Sequence, residues 1–179
     1  RNPQSHIITK SMAWQTVGVG LTFFLLLAGL WQLLWHCDIS SVSDLFDTEK
    51  LKLFVTGMLD FSKNKQHLST YELSVFFTFF VLLQFWNLFN AKYFKTSRSL
   101  IQDIAAAFRK DKEAESSFSA SFIYIALVIL IGQVLIVTFL GEMFNVSALS
   151  LNDWGWLLLI TSPVLIMPDI KRWISDRKQ

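Results

Sequence analysis

The sequence predicts an all-α membrane domain: four transmembrane helices in an up-down bundle, with short amphipathic helices in the outer loop and the inner connection. Three observations carry that expectation. Of 179 residues, 53% are hydrophobic and seventeen are Phe. Mean hydropathy is +0.42, a balance in which long uncharged runs would make a soluble domain aggregate. Four such runs occur, and three reach the length of about 20 residues that a helical span needs. Finally, twelve of the sixteen Lys and Arg fall on the side shared by the two chain ends and the middle connection. The positive-inside bias makes that side cytoplasmic. Both termini are then inside, which requires an even number of spans.

The first span, about 12–35, carries Gly18, Gly20 and Gly29, small residues that permit close backbone approach by a neighbouring helix. The outer loop Cys37–Thr70 follows, and its first half is acidic: Asp38, Asp44, Asp47 and Glu49. Such a loop concentrates cations electrostatically, but a solvated, turn-rich loop is the favoured reading. Its apolar run Leu51–Phe61 is too short to span and predicts a helix lying on the outer surface. The second span, about 71–89, has Glu72 at its edge. In the inner connection, Leu100, Ile101, Ile104, Ala105 and Phe108 recur at helical spacing and predict an amphipathic helix within Ser97–Lys110.

The third span covers about 118–140, and the short outer turn Glu142–Asp153 leads to the fourth, about 154–170. That last segment holds Pro163 and Pro168. Proline removes a backbone donor and bends a helix, tolerated in membranes when neighbours satisfy the freed carbonyl. A kinked helix is expected. Trp14, Trp31, Trp35, Trp154, Trp156 and Trp173 fall near span ends, where amphipathic rings sit at the headgroups. Trp86 is the exception and reads as a packing residue.

Several kinds of chemistry are excluded. One cysteine, Cys37, permits no internal disulfide. His6, His36 and His67 are scattered without metal-ligand spacing, and neither a phosphate-cradling glycine loop nor a nucleophile–base pair is present. No catalytic residue and no cofactor are expected in this chain. A net charge of +2 without a basic patch gives no reason to expect nucleic acid; the expected partner is the lipid bilayer. The opening Arg1-Asn2-Pro3, with neither an initiator Met nor a signal-peptide core, reads as the start of a piece of something longer.

The functional candidates are polar groups inside the spans, which are site hypotheses by default. Tyr71–Asn90 reads YELSVFFTFFVLLQFWNLFN. Its amides Gln84, Asn87 and Asn90 are three residues apart, so each is turned about 300° from the last and together they form a slanted stripe, extended by Phe77 and Phe80. An unpartnered amide in hydrocarbon costs roughly several kcal/mol, so the stripe must face helices, water or an ion. Gln84 has two readings. One is an oxygen ligand or lining group on a cation path, since hard cations such as calcium accept amide carbonyls. The other is interhelical glue worth about 0.6 kcal/mol per bond, which composition favours. Asn87 is the second ion-path candidate. Asn90 reads as an interhelical or capping contact, and Gln133, midway along the third span, as a partner for the stripe. Asp169 is expected near the inner surface, paired with Lys171 or Arg172.

Four stretches carry a resemblance: Arg1-Asn2-Pro3 with Ile7-Ile8-Thr9 and Met12; the run FFVLLQFWNLFNAKYF at Phe79–Phe94; Gly132-Gln133 with Ile136-Val137-Thr138-Phe139; and Leu149-Ser150-Leu151 with Trp154 and Ser162-Pro163-Val164-Leu165. In that order they resemble the last four transmembrane helices of calcium-transporting P-type ATPases, nearest to the plasma-membrane type and its bacterial relatives. The resemblance implies a parent pump that uses ATP and magnesium, forms a phosphoaspartate and moves calcium or another divalent cation. This chain would be its membrane support domain in a plasma or inner membrane. Its partners would be the N-terminal transmembrane and cytoplasmic domains of the same pump. Gln84 falls where reticulum-type pumps carry an acidic ion ligand and the plasma-membrane type carries glutamine. That makes Gln84 the one metal-site candidate here; the family's principal ligands lie on its fourth, fifth and sixth helices. Two positions depart from the family pattern: Leu140 where glycine is common and Asp169 where glutamate is common. The alternative is a free-standing four-span accessory or scaffold protein, and an intramembrane enzyme ranks last.

Overall fold

A backbone wrapped in apolar side chains must satisfy its own N–H and C=O groups, and a helix does so within one segment. The computed structural model describes residues 10–57, 67–92 and 120–166, and among them there are helices and no strand. In chain order these are α1 (Lys10–His36), α2 (Thr48–Gly57), α3 (Thr70–Lys92), α4 (Ala120–Phe139), α5 (Gly141–Phe144) and α6 (Leu151–Thr161). Two 3-10 turns, Val42–Phe46 and Ser162–Ile166, precede α2 and follow α6. The all-α expectation holds for the described residues. The Ser97–Lys110 helix, the Asp169 pairing and Trp173 lie outside them.

α1 and α3 are long and apolar enough to cross a membrane. At 1.5 Å per residue their 27 and 23 residues extend roughly 40 and 35 Å against a hydrocarbon core of about 30 Å. Tyr124–Phe139 and Leu151–Ile166 are shorter apolar helices. Two of the four expected spans therefore meet the test of length and composition among the described residues.

α3 is the hub, packing against α1, α4, α6 and the second 3-10 turn. Val75, Leu82 and Leu83 on α3 are fully buried with Leu34 of α1 and Leu157 of α6. At about 25 cal/mol per Å², each such Leu contributes roughly 1.5–3 kcal/mol relative to exposure in water, and less in lipid, where packing replaces transfer as the driving force. The outward faces are apolar: Leu21, Phe24 and Leu25 of α1 and Ile125, Val128 and Leu135 of α4 are all exposed.

The last segment changes its helical form at Pro163. α6 ends at Thr161 and the chain tightens into a 3-10 turn. Pro163 has no N–H for the carbonyl of Leu159, and the Ser162 hydroxyl donates to that oxygen at 2.8 Å. The carbonyl of Val164, in that turn, accepts from Asn90 Nδ2 of α3 at 2.9 Å. In the loop after α1, helix occupies Thr48–Gly57. It starts three residues ahead of the predicted run, because Asp47 Oδ1 accepts the Glu49 N–H at 3.0 Å and so opens the helix.

Candidate functional site

The amides predicted as one stripe end up in three settings. On α3 the buried residues are Glu72, Ser74, Val75, Thr78, Phe79, Leu82, Leu83 and Phe85. Leu82 is about 200° around the helix from Gln84, and Gln84 is accordingly exposed. Phe80 and Ala91, within about 40° of it by the same geometry, are exposed as well. The result is an open face on α3 with one amide at its centre. Phe77, expected to extend that side, is covered instead by Phe144 at 6.2 Å between ring centroids.

Gln84 stands on a ridge between two open grooves. One, about 400 Å³, separates α3 from α1 and is lined by Thr16, Val19, Gly20 and Phe23 opposite Gln84, Asn87 and Asn90. The other, about 470 Å³, lies toward α4 and is lined by Phe80, Gln84, Asn87, Leu88 and Ile129. Asn87 is half-buried and borders both. Asn90 turns away and donates to the Val164 carbonyl, tying α3 to the turn after α6.

Gln133 does not meet the stripe. It is buried on α4, and its Nε2 donates to Thr78 Oγ1 at 3.2 Å. Thr78 lies six residues before Gln84, about 240° around α3, so Gln133 meets α3 away from the stripe, which α4 borders only across the groove at Ile129. Trp86 donates its indole N–H to Thr161 Oγ1 at 2.7 Å, and that hydroxyl donates in turn to the Leu157 carbonyl at 2.7 Å. It is a packing residue with its polar tip bonded.

The sequence reading missed a second constellation at the end that carries α2. Three Ser-x-x-acid boxes occur, at Ser41/Asp44, Ser69/Glu72 and Ser150/Asp153. In a capping box the serine accepts from the acid's N–H and the acid accepts from the serine's N–H. Two of these acids also reach across the fold. Glu72 Oε2 accepts from Ser69 N at 2.9 Å, while Oε1 accepts from Ile39 N at 3.3 Å. Asp153 Oδ2 accepts the Ser150 hydroxyl at 2.7 Å, while Oδ1 accepts Val42 N at 3.0 Å. The chain between Ile39 and Val42 is thereby fastened to the starts of α3 and α6. Ser74 completes the clasp, accepting Ser147 N at 2.6 Å. The S-x-x-[DE] spacing was the available signal.

Burial pushes the Asp153 carboxyl up, but the Val42 N–H and Ser150 hydroxyl outweigh it and hold the group below the usual carboxylate value. Asp44 is also held low, chiefly by the Ser40 N–H against a smaller desolvation penalty, with Lys50 at 3.2 Å adding to it. Among the described residues no group of three His, Cys, Asp or Glu is placed to hold a metal ion. The donors on the open face are neutral amides, which fit a supporting role beside a cation better than sole ligation of it.

Two helices long and apolar enough to cross a membrane, with outward apolar faces, fit a membrane-integral helical domain. The family model described as cation transporting ATPase, C-terminus, matches residues 1–174. The chain belongs to that family: it is a C-terminal membrane region of a P-type cation-transporting ATPase. No curated protein and no solved structure gives a match.

Proposed function

We propose that this chain is the membrane support bundle of a P-type pump for calcium or another divalent cation, and that the open face of α3 meets the pump's transport helices. Gln84 then lines one wall of the ion route. The observation that carries this is the exposed amide itself, centred on a side of α3 that the described residues leave uncovered. In a membrane-integral chain such a group needs a polar or aqueous neighbour, because lipid leaves it unsatisfied at a cost of roughly several kcal/mol. Calcium as the cargo is supported by the resemblance around Phe79–Phe94, with glutamine at the eighth-helix position.

In this reading the chain crosses the membrane four times with both ends cytoplasmic, as the twelve-to-four split of Lys and Arg favours. The membrane is the plasma membrane or an inner membrane. ATP, magnesium and the phosphorylated aspartate belong to the N-terminal domains of the same pump. A free-standing scaffold would explain the hydropathy equally well, but not the match to a pump family along nearly the whole chain.

The test is ATP-dependent calcium uptake by vesicles holding the full-length pump with Gln84→Ala. One lost polar contact of about 1–1.4 kcal/mol shifts half-maximal calcium about five- to tenfold upward. An unchanged calcium dependence with normal expression reduces Gln84 to packing.

A further inference from the structure

α2 lies across the end of α1 instead of alongside it. Near its start, Lys50 Nζ donates to the Asp38 carbonyl at 2.8 Å, and Cys37 Sγ donates to the Lys50 carbonyl at 3.5 Å. Its last residue, Gly57, abuts the His36 ring, from which a Cβ would stand 3.3 Å. The seven steps from Lys50 to Gly57 rise about 10 Å, yet both ends touch three consecutive residues of α1 and its exit. A helix running along α1 would reach a turn or two farther down it. With α1 spanning the bilayer, α2 runs close to the membrane plane. The stacked pair Trp31 and Trp35, 5.4 Å apart, lies just beneath it, in the belt where such rings favour the headgroups.

The faces of α2 agree with that placement. Thr48, Lys52 and Thr56 share one side at steps of four residues. Phe54 packs inward against the core. Between them, Leu51 (39% exposed) and Val55 (70% exposed) stand one turn apart, with Leu53 on the opposite flank. No residue of α2 is buried, so the described residues leave these side chains uncovered. On α1, Trp31 and Phe24 are exposed as well, about one and three turns back from its end. Lys50 fixes the helix in place through Asp38 and Asp44.

We propose that α2 is an interfacial helix docked on the lipid surface, with Leu51 and Val55 among the upper acyl chains and Thr48, Lys52 and Thr56 in water. The lipid surface is the occupant because the strip lies across the end of a helix long enough to span the bilayer, next to the stacked tryptophans of its last turns. This rests on the chain's membrane location and not on the ion-path reading of Gln84.

The test places a nitroxide on a single cysteine at position 51, 52, 55 or 56 of the full-length pump, with Cys37→Ala and other cysteines replaced. The pump is reconstituted in phosphatidylcholine–phosphatidylglycerol vesicles. Collision with oxygen, which concentrates in lipid, is compared with collision with a water-soluble nickel chelate. The expected result is an oxygen-to-nickel ratio at 51 and 55 about threefold or more above that at 52 and 56, the pattern of an immersed helix face. Equal nickel access at all four positions overturns the proposal in favour of a solvated loop. Shielding of 51 and 55 from both reagents also overturns it, since a protein partner then covers the strip. Variants whose melting temperature matches the parent's keep the comparison free of misfolding.

Discussion

Replacing Asp153 with alanine tests whether the clasp at the α2 end is a fixed part of the fold. Asp153 is 4% exposed and closes its own capping box with Ser150. Loss of that box costs about 1 kcal/mol. Its other oxygen accepts the Val42 N–H at 3.0 Å in a buried bond. Alanine strands that N–H, at about 1–3 kcal/mol. The sum is about 2–4 kcal/mol. Asp153→Asn keeps one acceptor oxygen and loses the charge assistance, for about 1–2 kcal/mol. The assay is amide exchange by mass spectrometry on peptides covering 39–46 of the detergent-solubilised protein. Where opening is local, 2–4 kcal/mol accelerates exchange there by roughly 30- to 1,000-fold. Peptides from the inner half of α3 change little, and the order runs Ala, then Asn, then the parent. Protection of 39–46 within twofold of the parent in the alanine variant would refute the clasp.

Gly141→Ala places a Cβ 2.6 Å from the Val146 carbonyl oxygen, a backbone atom that cannot rotate aside. The turn must open and weaken the Val146 N–H bond to Gly141 (2.9 Å), and the melting temperature in detergent falls by an amount matching about 1–3 kcal/mol. Thr161→Val strands the Trp86 indole N–H, for about 1–3 kcal/mol. The pair Trp86→Phe with Thr161→Val costs less than the two single changes added, a coupling of about 0.5–1.5 kcal/mol readable by a thermal double-mutant cycle. The low carboxyls of Asp44 and Asp153 set a pH sign. Their contribution is complete above the ordinary value of 3.8 and is lost as pH falls through the lower folded values. Exchange at 39–46 therefore accelerates on acidification beyond the intrinsic trend only below about pH 4, and Asp44→Asn with Asp153→Asn abolishes that step.

Much of this was readable from residue order, for reasons that differ by element. Long uncharged runs fix helices because no other backbone form satisfies itself in apolar surroundings. α1 and α3 accordingly appear within one to three residues of the predicted bounds. The change to a 3-10 turn around Pro163 follows from one missing N–H. Which faces meet was another matter. α3 is apolar nearly all round, so periodicity distinguishes its sides only through Gln84, Asn87 and Asn90. Those three mark a side without saying what stands beside it. Gln133 therefore looked like their partner, whereas α4 approaches the Thr78 side. The clasp was legible and went unread. Its acids looked like a span edge at Glu72 and an outer turn at Asp153, yet each sits three residues after a serine.

The two ends of α3 are built on opposite principles, and that contrast bears on how such a bundle serves a pump. At the α2 end, carboxylates hold backbone N–H groups in one register: Glu72 on Ile39 and Asp153 on Val42. A bond to a fixed backbone donor does not survive a sliding motion of even one residue. That end suits a stationary reference. Toward the other end, Gln84 and Asn87 border grooves instead of closing them. An amide presents both a donor and an acceptor on a rotatable stem, so it can exchange partners as a neighbouring helix shifts. Only Asn90 is committed, and it is bonded to the bundle's own Val164. If transport helices move against this chain, as the proposed function requires, they move past Gln84. The Ile39–Val42 strap then keeps its geometry in every transport state, so exchange at 39–46 must be the same with calcium and with a phosphate analogue bound.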